Sequence, residues 1–125
     1  MEDVQKVLQK IHSIIERDAR YKIEAYSFVL GALNDTVRKL EQPRHVTGRE
    51  LCEGIRLYAL EQFGPLTITV LDYWGIHETL DFGRIVFTLV DAGLMSKTEN
   101  DSLDDFKDVY DFKKAFEQGK RIDSK

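Results

Sequence analysis

The sequence predicts a mainly α, compact helical domain of about five helices, and three observations predict it. Apolar residues recur at i, i+3, i+4 and i+7 through residues 4–40, and helical stripes return over 51–63 and 82–90. A complete helix start is written at Thr47-Gly48-Arg49-Glu50. Glycine or proline closes successive segments at Pro43, Gly64-Pro65, Gly75 and Gly93.

The first helix carries Val4, Val7, Leu8, Ile11, Ile14 and Ile15 on one face, with Lys6, Lys10 and Glu16 on the solvated side. Periodicity lapses over Asp18 to Tyr21. It resumes with Tyr26, Val29, Leu30, Leu33, Val37 and Leu40, widened by Ala25, Phe28 and Ala32, so the second helix should be more buried than the first. It ends before Pro43, because the residue preceding a proline is pushed out of the helical region. Thr47 and Glu50 form a capping box, and Leu51, Cys52, Ile55, Tyr58, Ala59 and Phe63 make the third stripe.

Leu66 to Trp74 is divided between two signals. The β-branched run Thr67, Ile68, Thr69 and Val70 favours a strand, whereas Leu66, Val70, Leu71 and Trp74 fit a helix opened by Pro65. A short helix is the preferred reading. Thr79 can cap the next helix, whose buried side is Phe82, Ile85, Val86, Leu89 and Val90. Beyond Gly93, Leu94 to Lys97 is expected as a short strand, Thr98 to Asp101 as a polar turn, and Ser102 to Asp105 as a cap. Phe106, Val109, Tyr110, Phe112 and Phe116 anchor the C-terminal segment, and 117–125 reads as frayed.

At 125 residues the chain is expected to form a single domain, 1–125. No apolar run nears the ~20 residues that cross a bilayer, the charged N-terminus is unlike a signal peptide, and the single cysteine, Cys52, excludes an intrachain disulfide. A cytoplasmic location without membrane partners is the expectation. The net charge of −4 is uneven: residues 1–46 carry 8 basic and 7 acidic groups, 47–93 carry 3 and 7, and 94–125 carry 7 and 8. An acidic centre argues against phosphate binding.

The stretch from Pro65 to Gly93 has the order of a helix-turn-helix. With a strand at 94–97 and a returning strand near 109–112 it would make a winged-helix-like C-terminal half with a short β-hairpin. Residues 79–92 would then be the recognition helix and 98–105 the wing. The face expected to be exposed, Glu78, Asp81, Arg84, Thr88 and Asp91, would repel phosphates, so DNA reading by residues 79–92 is disfavoured. The acidic run Asp101, Asp104, Asp105, Asp108 and Asp111 lacks the glycine and closing glutamate of a calcium loop and reads as a solvated face with helix-start charge. His12, His45 and His77 lack zinc-site spacing. No catalytic, metal or cofactor-binding residue and no cofactor is read from the sequence.

Three stretches carry a family likeness: Arg20-Tyr21 with Glu24 to Val29; Arg44 to Leu51 through Phe63-Gly64; and Trp74-Gly75-Ile76 with Asp81-Phe82-Gly83, Lys97-Thr98-Glu99 and Asp108 to Phe112. Together they resemble the Minf_1886 family of small uncharacterised bacterial proteins, over about residues 7–118. The resemblance implies a bacterial protein standing alone as one domain and carries over no functional residue. The expected function is a non-enzymatic module that binds another protein or itself, through a candidate surface of Arg44, His45, Thr47, Tyr73 and Trp74. The alternatives are a ribosome- or nucleic-acid-associated protein using the basic N-terminal third with Lys113, Lys114, Lys120 and Arg121, and an enzyme whose site is assembled around His45 and His77.

Overall fold

The computed structural model describes residues 2–117, and the fraying expected at 118–125 lies outside the described residues. Among the described residues six α-helices follow one another: α1 (Glu2–Arg17), α2 (Ile23–Arg38), α3 (Gly48–Phe63), α4 (Thr67–Tyr73), α5 (Thr79–Asp91) and α6 (Phe112–Phe116). Single 3-10 turns occupy Gly64–Leu66 and Leu103–Phe106. The architecture is mainly α, as the periodicity predicts.

The core lies where α2, α3 and α5 meet. Val29, Ile55, Phe82 and Leu89 are wholly inaccessible there. α1 adds Ile11 and Ile14 to this core, but Val4 and Leu8 remain 60% and 43% exposed. The apolar stripe of α1 is therefore continuous in sequence and covered only in its second half.

α4 resolves the divided stretch in favour of helix. Thr67 and Leu71, four residues apart, face inward and are fully buried, while Ile68 and Thr69 stay exposed. The Thr67 hydroxyl lies 2.7 Å from the Gly64 carbonyl oxygen and 3.2 Å from that of Ala59, so its burial leaves no unpaired group. Gly75 ends this helix at φ +93°, and the Arg20 carbonyl oxygen would lie only 2.5 Å from a Cβ added there.

The expected strand at Leu94–Lys97 and its hairpin do not form, and no strand occurs among the described residues. The backbone is committed elsewhere. Gly93, at φ +78°, closes α5 by donating to Val90 (2.9 Å) while Leu94 donates to Leu89 (2.8 Å), the pairing of a Schellman cap. Carboxylates then take the next free amides: Asp101 accepts from Thr98 (2.8 Å) and Asp105 from Ser102 (2.9 Å). What would have been a wing is a chain of side-chain-capped turns that ends with Phe106 in the core.

α5 also starts differently from the expected Thr79 cap. Glu78 is the N-cap, and Thr79, in the first turn, is buried. Its hydroxyl donates to the Phe106 carbonyl (2.6 Å) and accepts from the Val109 amide (3.1 Å). Asp81, expected on an exposed face, is only 5% exposed. It accepts from the Tyr21 hydroxyl, from the His77 amide at 2.8 Å and from Arg84 Nη1 at 2.7 Å. Burial alone would raise the Asp81 pKa; these donors overcome it and hold the carboxyl below its ordinary value. Tyr21, desolvated and donating to that carboxylate, is pushed up to about 12.

Candidate functional site, an apolar groove beneath the Arg44–Thr47 loop

A cavity of about 490 Å³ opens between α2, the start of α3, α5 and the segment after α5. That volume is within the range of ligand-binding clefts. Leu33 and Val37 of α2 form one wall, Val86 and Phe87 of α5 the floor, and Leu51, Met95 and Phe106 add to the apolar lining. Arg44, His45 and Thr47 stand at one margin, with Lys97 and Asp101 also among the lining residues.

Phe106 positions the floor. A Cβ on Gly48 would lie 2.9 Å from its ring, and one on Gly83 would lie 2.8 Å from its Cβ. These two glycines let Phe106 wedge between the starts of α3 and α5, and its ring meets Phe87 edge-on at 6.4 Å.

The loop above the groove is fixed by charge. Arg44 donates to both Glu50 oxygens, at 3.0 and 2.8 Å, and to the His45 carbonyl at 2.9 Å. Glu50 in turn accepts from the Thr47 amide at 2.9 Å, and Thr47 Oγ1 accepts from the Glu50 amide at 3.1 Å, so the predicted capping box is present. Hydrogen bonding by Arg44, then by the Thr47 amide, holds the Glu50 carboxyl down at about 2. On the same margin His45 Nε2 lies 2.7 Å from Asp101 Oδ2, tying the loop before α3 to the turn after α5. Burial alone would raise the Asp101 pKa; the Thr98 amide and His45 overcome it and lower it.

The candidate residues fall into two groups. Arg44, His45 and Thr47 share the groove, whereas Tyr73 and Trp74 do not line it. Tyr73 is 69% exposed on α4 with the Lys22 ammonium 5.3 Å from its ring centre. Trp74 is half-buried against Phe28 and Phe63, with ring centres 5.4 and 5.7 Å away. His45 and His77 take separate partners, His77 Nδ1 lying 3.0 Å from Asp72.

Sequence reasoning placed Val37 and Val86 on apolar helix faces and Phe106 as a core anchor, and read Lys97 in a strand and in the Lys97-Thr98-Glu99 stretch; Val86 and Phe106 are buried as expected and also line the groove. The periodic stripes cannot tell a side chain that lines an open groove from one that is covered. Among the described residues no three His, Cys, Asp or Glu side chains converge as metal ligands. Cys52 is wholly buried, and desolvation pushes its thiol up to about 12, well away from reactive thiolate character. No helix among the described residues is long and apolar enough to cross a membrane.

No protein-family model, curated protein or solved structure matches the chain.

Proposed function

We propose that the chain is a non-enzymatic, cytoplasmic protein-interaction module whose docking surface is the groove beneath the Arg44–Thr47 loop. One observation carries this reading: an apolar-floored groove of about 490 Å³ stays open beside a well-filled core, and a salt-bridged loop holds its margin in shape. A preformed apolar cleft with a rigid polar rim favours capture of a partner side chain, because little ordering is left to be lost on binding.

Placing a photo-crosslinking amino acid at Met95, with Tyr73 as the comparison position, tests this. Crosslinks to a partner should form from the Met95 position and be suppressed by Val37→Trp, which fills the groove. Crosslinks that form only from Tyr73 would move the docking surface to α4 and the turn before it, where Ile68 and Leu66 are also exposed.

The winged-helix-like alternative would use α4 and α5 as its helix-turn-helix, with α5 as the reading helix. Nothing on α5 favours duplex reading: Arg84 is committed to Asp81 at 2.7 Å and lies 3.7 Å from Glu78.

A further inference from the structure

The groove presents an unequal set of charges to whatever enters it. Asp101, the carboxylate among its lining residues, is engaged by His45 at 2.7 Å, and the lining Arg44 is paired with Glu50 at 2.8 Å. Lys97 has no carboxylate partner among the described residues; its ammonium lies 5.9 Å from the centre of the Phe87 ring on the groove floor. The backbone N–H groups of Ser96 and Lys97 likewise have no acceptor among the described residues. An apolar floor edged by an ammonium without a carboxylate partner and by amides without acceptors among the described residues is complementary to an apolar group with a carboxylate close beside it.

We infer that the groove takes a short segment of a partner protein, with a large aliphatic or aromatic side chain on the floor and an adjacent carboxylate at Lys97. A protein segment fits better than a free organic acid. Residues 43–47 and 95–97 both border the groove in irregular conformation, and a peptide brings main-chain donors and acceptors to meet them. This inference rests on the groove being the docking surface, and it adds the chemistry of the partner.

The test uses pools of labelled short peptides, randomised except for one adjacent pair fixed as Leu–Asp, Leu–Lys or Ala–Asp, with dodecanoate as a free amphiphilic acid. Each is titrated into the whole chain and into Lys97→Glu while backbone amide spectra are recorded; circular dichroism confirms that the exposed substitution leaves the fold intact. The Leu–Asp pool should shift the amides of Arg44–Gly48 and Met95–Asp101. The Ala–Asp pool should bind at least about tenfold more weakly, from the lost apolar burial. Lys97→Glu should weaken the Leu–Asp pool about fivefold and favour Leu–Lys instead. Equal binding of Leu–Asp and Leu–Lys would overturn the charge assignment while leaving the groove as the docking surface. Peptides that shift no groove amide would overturn both, and dodecanoate binding without any peptide binding would make the groove a small-molecule site and overturn both as well.

Discussion

The Asp81 carboxylate gathers donors from Tyr21, from the His77 amide and from Arg84, and each matters more because the carboxylate is buried. Two pH limits follow. The folded-state pKa of Asp81 is depressed, so its stabilisation is present above the ordinary carboxylate value of 3.8 and is lost as pH falls through the lower folded value. The pKa of Tyr21 is raised from 10.0 to about 12, so its stabilisation is present below 10.0 and is lost as pH rises towards 12. Chemical denaturation across pH should show both declines, and Tyr21→Phe should remove its share of the alkaline one. An unchanged alkaline limb in Tyr21→Phe would count against the assignment. Thr47→Ala should cost about 1 kcal/mol, the usual loss for an N-cap oxygen, read from urea midpoints at constant slope. The Thr47 cap was legible because its spacing is local. The burial of Asp81 was not, because its Tyr21 partner lies 60 residues away and nothing in the local sequence around α5 points to it.

Among the elements, α1 should respond to mutation against its sequence pattern, and the connector after α5 in line with its aromatic anchor. Val4 and Leu8 read as core and are exposed, so Leu8→Ser should change stability by less than about 0.5 kcal/mol, whereas Ile11→Ala should cost about 2–5 kcal/mol. The connector reads as a strand and polar turn leading to an aromatic anchor, and it delivers that anchor, Phe106, 3% exposed, between Gly48 and Gly83. Phe106→Ala should cost about 3–5 kcal/mol and open the groove floor, which calorimetry and hydrogen exchange of α5 would report together. A small loss confined to residues 94–110 would mean that the wedge is dispensable. Helices α1, α2, α3 and α5 follow from periodicity within each segment, and the start of α3 from its capping box, whereas α4 carries competing strand and helix signals. The missing hairpin does not follow from such local signals, because the Asp101 and Asp105 side chains that engage its amides resemble any acidic turn until their partners are known.

For the whole molecule, the charge map and the buried Asp81 point the same way. Residues 47–93 carry 3 basic and 7 acidic groups, and Arg84 is paired, so no specific duplex DNA binding is expected at physiological salt, with or without Arg84. Tight, sequence-selective binding abolished by Arg84→Ala would reverse that reading. Weak binding lost with Lys113 and Lys114 would instead place the contact on α6. Arg44, His45 and Thr47 stand out in the sequence as a distinctive polar loop, whereas Tyr73 and Trp74 do not line the groove. The groove that this loop borders depends on α2, α5 and Phe106 arriving together, which is a property of packing angles that no single segment encodes.

The start of α5 also sets a sequence of events. Its bonds to Tyr21 and to the Phe106 carbonyl join residues 60 and 27 positions apart, so each closes a long loop whose entropy must be surrendered first. Helices α1 to α3 can form and associate through nearer neighbours before those loops close. Tyr21→Phe should therefore leave the refolding rate nearly unchanged and speed unfolding, the signature of an interaction absent from the transition state. Stopped-flow rates in denaturant would show it on the unfolding arm alone; a slowed refolding arm would mean that the chain ends are drawn to α5 early. With the effect on the unfolding arm alone, the Asp81 junction works as a latch whose release governs how long the folded chain persists.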